Sequence, residues 1–137
     1  MKRILLMRHA KASREEPATA DFDRPLAPRG AATAPAMGRW LQEAGFLPDA
    51  VICSAARRAW ETLYGVWRDW PSQPPVWFEQ AVYTAGPRDL VARLRRVPAD
   101  TDSVLVVGHN PTIQQTALDL AGGGDIADYT AMKEKFP

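Results

Sequence analysis

Three short apolar runs limit the fold most: ILLM at 4–7, AVI at 50–52 and VLVV at 104–107. In none of them do hydrophobic residues alternate with polar ones. A strand with one wet face alternates, whereas a strand that is hydrophobic at every position is covered on both faces, as in parallel sheets flanked by helices. All three are therefore expected to be fully buried strands, and VWF at 76–78 reads as a fourth strand. Helical periodicities lie between them. Met37, Trp40, Leu41 and Ala44 recur at helical spacing up to Gly45, with Pro35 starting or kinking that helix. Trp60, Leu63, Tyr64 and Trp67 do the same before the WPSQPP break at 70–75. A third helix follows Pro87 with Leu90, Val91 and Leu94 inward. A fourth takes Asn110 as N-cap and Pro111 in its first turn, with Ile113, Ala117 and Leu120 inward and GGG at 122–124 as its stop. Strands alternating with helices predict an α/β fold with a mainly parallel sheet, whose ligands gather at the carboxyl ends of the strands.

Composition narrows the function. At 137 residues, 46% hydrophobic and 24% charged, the chain is sized for one domain around a single core. A formal net charge of +1 creates no field that would attract nucleic acid or an anionic membrane, so any bound anion must be gripped by a local cluster. The lone Cys53 cannot form an internal disulfide, and the apolar run near the N-terminus is too short for a signal or membrane segment, which together predict a cytoplasmic protein. Cys53 reads as a small buried hydrophobe. The tryptophans read as core filler, with Trp70 and Trp77 also candidates for a partner-facing patch.

The strand ends carry the chemistry. The run at 4–7 ends in Arg8-His9, that at 50–52 in CSAARRA with Arg57 and Arg58, and that at 104–107 in GHNP with His109. Two imidazoles and several guanidinium groups thus leave one edge of one sheet, beside a helix start at Asn110, an arrangement suited to a tetrahedral phosphoryl group. A metal would want carboxylate or thiolate companions for its histidines, and these neighbours are cationic, so no metal or other cofactor is expected.

RHAKA at 8–12, DFDRPLAPRG at 21–30, SAARRAWET at 54–62 and VVGHNP at 106–111, in this order, resemble the histidine phosphatase superfamily and its small SixA-type phosphohistidine phosphatase branch. Ala10 replaces the superfamily's usual glycine, and Ala55 its usual proline. The resemblance implies a three-layer αβα, phosphoglycerate mutase-like fold over residues 1–137. It also implies a C-terminal strand beyond K-F-P that this sequence lacks, since the chain ends at Pro137. His9 would be the nucleophile, forming a phosphohistidine intermediate that water hydrolyses, with Arg8, Arg58 and His109 clamping the nonbridging oxygens. Lys11, Arg24 and Asn110 would contact the substrate. Arg57 and Arg14 read as surface residues, and Asp21, Asp23, Arg24 and Arg29 as a loop that is either a surface ion-pair cluster or, in the family's manner, part of the pocket rim.

The leaving group is the open question. Glu79 is the candidate proton donor, with Asp89 the other carboxylate in the region, and neither sits in a recognisable motif. An imidazole leaving group needs less acid assistance than an alkoxide, which favours a phosphorylated histidine-containing protein as substrate over a small phosphomonoester. A non-catalytic phosphate-binding module of the same fold is the third reading. Oligomeric state is not legible in the sequence.

Overall fold

The computed structural model describes residues 3–14 and 16–122. Its strands are β1 (Arg3–Arg8), β2 (Ala50–Ser54), β3 (Val76–Glu79) and β4 (Ser103–Gly108). Its helices are α1 (Pro28–Glu43), α2 (Arg57–Val66), α3 (Gln80–Thr84), α4 (Pro87–Arg95) and α5 (Thr112–Ala121), with a 3₁₀ turn at Asp21–Asp23. The strands form one parallel sheet in the order β1-β4-β2-β3, so the last of them in sequence lies between the first two.

Strand alternation divides the core into two layers. Leu5, Met7, Val51, Cys53, Leu105 and Val107 face α1 and α2, packing with Ala34, Leu41, Ala59, Leu63, Val66 and Trp70. Ile4, Leu6, Ile52, Val104 and Val106 face the opposite layer, where Val82, Leu90, Leu94 and Ile113 cover them. The result is the three-layer αβα sandwich expected from the unalternated runs. The runs of β2 and β4 are fully buried, but residues 4–7 are only partly so, because β1 lies at the sheet edge and pairs with β4 alone among the described residues.

Several helix readings are corrected. Pro28, not Pro35, occupies the first turn of α1, and Pro35 is a buried interior residue. Met37 and Trp40 are 47% and 55% exposed, while Ala34, Gly38 and Leu41 form the inner face. Small residues win that position because α1 crosses α2 at close range: a side chain at Gly38 would overlap the Val66 carbonyl. Tyr64 and Leu120 also point outward. Trp70 is no partner-facing residue, being buried with its indole N–H donating to the Gly38 carbonyl at 2.9 Å. Pro111 rather than Asn110 is the N-cap of α5, although the Asn110 side-chain oxygen still accepts the Gln114 N–H at 3.2 Å. Gly122 ends that helix in the left-handed region at φ 61°, as a C-terminal glycine should. Gly123, Gly124 and the question of a missing closing strand lie outside the described residues.

Candidate active site

His9 follows the last residue of β1 and is tied to the neighbouring strand by its own N–H, which donates to the Gly108 carbonyl at 3.0 Å. The next amide, Ala10 N–H, donates to Thr62 Oγ1 at 2.9 Å, and that hydroxyl donates to the Arg58 carbonyl one helical turn back at 2.7 Å. Thr62 thus couples the end of β1 to the first turn of α2. Residues 11–13 are strapped to 25–27 by the Ala27 N–H to Lys11 carbonyl bond and the Ser13 N–H to Pro25 carbonyl bond, both 2.9 Å. The start of α1 presses so closely on this strap that a side chain at Gly30 would collide with the Lys11 backbone.

The hydrogen bonds fix both imidazole tautomers. His9 Nδ1 lies 2.7 Å from the Ala10 carbonyl, an acceptor only, so Nδ1 carries the proton and Nε2 presents a lone pair. Arg58 Nε–H donates to that lone pair at 3.3 Å. Ser54 Oγ accepts the Ala56 N–H at 3.2 Å and lies 2.7 Å from His109 Nε2. Ser54 is fully buried, so the arrangement that leaves no hydroxyl proton unpaired has Ser54 donating to His109 Nε2. His109 then carries its proton on Nδ1, a buried atom with no hydrogen-bond partner among the described residues. Burial, before any neighbouring charge, holds both histidines down to a pKa of about 4, with Arg58 and Arg8 adding to the effect at His9 and His9 and Arg58 at His109. Both rings are neutral at neutral pH, 5.2 Å apart centre to centre.

Arg58, 5% exposed, is the most buried cation of the cluster. Its Nη1 donates to the Asp21 carbonyl at 2.7 Å and its Nη2 to Asp21 Oδ2 at 3.0 Å. Asp21 Oδ1 accepts two bonds from Arg24, at 3.0 Å from Nε and 2.9 Å from Nη2, while Arg24 Nη1 donates to the Ser13 carbonyl at 2.7 Å. The Tyr83 hydroxyl donates to Asp21 Oδ2 at 2.6 Å. That bond is the chief reason the Asp21 carboxyl is held down to about 2, the two arginines adding to it, while the same contact raises Tyr83.

Arg8, His9, Lys11, Arg24, Arg58, His109 and Asn110 all line one cavity of about 980 Å³, which also takes in Arg29 and, among the described residues, is lined by no carboxylate. Seven of the eight residues singled out from the sequence are thus brought together. The exception is Glu79, which forms a bidentate pair with Arg93 at 2.7–2.9 Å and lines a separate cavity of about 440 Å³ beside α4. Arg57 points outward and pairs with Glu61 at 3.2 Å. Cys53 is buried, and burial pushes its thiol up to about 12. Among the described residues no group of three His, Cys, Asp or Glu side chains stands close enough to hold a metal ion, and no helix is long and apolar enough to cross a membrane.

Sequence reasoning missed Asp21 as a site residue, and with it Ser54, Thr62 and Tyr83. The first three lie inside the segments that carry the family resemblance, which is the signal that marked them. Tyr83 lies outside every such segment.

A neutral imidazole with a lone pair on Nε2, a second imidazole 5.2 Å away and several guanidinium groups lining one cavity suit the grip and transfer of a phosphoryl group. Comparison with known proteins agrees. Residues 4–81 match the model of the histidine phosphatase superfamily, branch 1. The chain is 40% identical over 133 residues to an uncharacterised protein of Mycobacterium tuberculosis, spanning 96% of this chain and 81% of the relative. In structure it resembles a proposed phosphohistidine phosphatase SixA of Agrobacterium tumefaciens, with a TM-score of 0.87 and 28% identity over 98% of this chain and 84% of that one. A protein histidine phosphatase SixA complexed with tungstate matches with a TM-score of 0.75 and 27% identity, covering 85% of this chain and 75% of that one. Fold, site and family model together place the chain in the histidine phosphatase superfamily, branch 1, as a phosphatase of SixA type.

Proposed function

We propose that this chain removes the phosphoryl group from a phosphohistidine displayed on a phosphotransfer protein, and that it does so as a single domain in the cytoplasm. His9 Nε2 attacks phosphorus in line as the bond from phosphorus to the substrate imidazole breaks. The departing imidazole takes a proton from solvent, and water then attacks phospho-His9, releasing inorganic phosphate and restoring the neutral ring. Arg8, Arg58 and His109 hold the nonbridging oxygens, where charge spreads in the transition state. Lys11, Arg24 and Asn110 contact the substrate around them.

The observation that carries this reading is the missing acid. Among the described residues no carboxylate lines the cavity; Asp21, behind Arg58, is held ionised by the Tyr83 hydroxyl and two arginines, and Glu79 is locked to Arg93. The absence of a protonated carboxyl group among the described residues favours a leaving group that departs without one, and imidazole meets that requirement better than an alkoxide. Intact His9 and Arg58 in mutual contact speak against a module that only binds phosphate.

Comparing turnover of a phosphohistidine protein, an aryl phosphate and a sugar phosphate tests the proposal. The expected order of kcat/KM is phosphohistidine first, aryl phosphate second and sugar phosphate last. A sugar phosphate turned over fastest would transfer the assignment to small phosphomonoesters, and tight phosphate binding with no turnover of any of the three would mean a non-catalytic module.

A further inference from the structure

We infer that Asp21, backed by Tyr83, is the positioning residue of the Arg58 clamp, so that one carboxylate outside the catalytic ring sets the aim of its most buried cation. The inference rests on the roles proposed above for His9 and Arg58. Asp21 takes both terminal nitrogens of the guanidinium, Nη1 on its main-chain carbonyl and Nη2 on its carboxylate. With that end occupied, the group cannot rotate about its own axis without breaking two charge-assisted bonds. Its lateral edge is left facing inward, with Nε–H on His9 Nε2 at 3.3 Å. Arg58 therefore covers the lone pair of His9 Nε2. An arriving phosphoryl oxygen competes for that Nε–H, and accepting it both grips the phosphoryl group and frees the attacking nitrogen.

The carboxylate is itself fixed from three sides. Oδ1 accepts two bonds from Arg24, and Oδ2 is shared between Arg58 and the Tyr83 hydroxyl. The Tyr83 ring meets the His109 ring at 5.4 Å and the Phe22 ring at 5.0 Å, both edge to face. One tyrosine from α3 thus touches the far histidine and the anchor of the arginine together. An asparagine at position 21 would keep the size but present an N–H₂ to one of the two arginines, donor against donor.

A double-mutant cycle on an aryl phosphate, with tungstate affinity and thermal unfolding measured alongside, tests this. Asp21→Asn is expected to fold normally and to lose on the order of 10- to 100-fold in kcat, the scale of a misplacement of about 1 Å, with a smaller change in KM. In an Arg58→Ala background the same substitution is expected to cost less than about twofold, because its target is gone. Tyr83→Phe gives a second, milder cycle with the same loss of effect in that background, which keeps the test decisive if Asp21→Asn fails to fold. Additive losses in the two backgrounds, or kcat within about twofold of wild type in Asp21→Asn, would overturn the inference. His9→Ala run in parallel separates the two levels: residual turnover there contradicts the nucleophile assignment, whatever the cycle returns.

Discussion

His9 Nδ1 sits 2.7 Å from the carbonyl oxygen of Ala10, and this contact leaves the ring lone pair on Nε2. Nδ1 is committed to the backbone, so the phosphoryl group is expected on Nε2. Trapping the intermediate and recording the phosphorus and ring-proton resonances of phospho-His9 checks the linkage, and a phosphoryl group on Nδ1 would contradict it. His9→Ala is expected to abolish turnover and leave the fold intact, since the ring is only partly buried and does not belong to either core layer.

The chain has two histidines, so their titration can be followed ring by ring. Both are held to about 4 by burial, against an ordinary value of 6.5 in the unfolded chain. Between these values the unfolded state binds more protons than the folded state. Stability therefore falls as pH falls through that window and is independent of these two groups above about 6.5. Proton NMR is expected to give both midpoints near 4 in the free protein. A midpoint near 6.5 for either ring would contradict the buried, neutral site.

Neighbouring arginines on α2 should behave differently. Arg58→Ala removes a buried donor aimed at His9 Nε2 and is expected to lose roughly 2–4 kcal/mol of transition-state stabilisation, read from kcat/KM. Arg57→Ala removes an exposed partner of Glu61 and should change kcat/KM by less than about threefold. Equal losses would mean that the two side chains share the clamp.

Glu79→Gln tests the proton-donor reading directly. Its bidentate bond to Arg93 makes it a structural partner of α4, so the variant is expected to unfold at lower temperature with kcat for an aryl phosphate unchanged. A pH-dependent fall in kcat in this variant would return Glu79 to the mechanism.

The crossing of α1 and α2 gives a prediction about stability. A methyl group at Gly38 meets the Val66 carbonyl, so Gly38→Ala is expected to destabilise the protein by about 1–3 kcal/mol, despite alanine's better helix propensity. Urea unfolding measures this, and an unchanged or raised midpoint would show that the helices separate freely.

What the sequence carried and what it hid follow from the range of the interactions. The runs at 50–52 and 104–107 are read correctly because burial on both faces leaves its mark on every residue of a central strand. His9, Arg58 and His109 are legible because a parallel sheet delivers its strand ends to one edge, wherever they lie along the chain. Periodicity misleads at Met37 and Trp40, since it marks a stripe without saying which stripe touches a neighbour. At this crossing the contact belongs to Ala34 and Gly38, too small to register as hydrophobic signal. Asp21 and Tyr83 are 62 residues apart and meet only through tertiary packing, so their contact leaves no local pattern in the sequence.

The strand order has a consequence for synthesis. β1 and β2 do not pair with each other; each is bonded to β4, which enters between them, and His9 is held by the Gly108 carbonyl of that late strand. A nascent chain that has left the ribosome only as far as Asp102 already contains His9 and the buried Arg58, yet it lacks the strand to which β1 is bonded. The ladder that bonds His9 to Gly108, next to His109, therefore cannot form until the strand from Ser103 to Gly108 has been made.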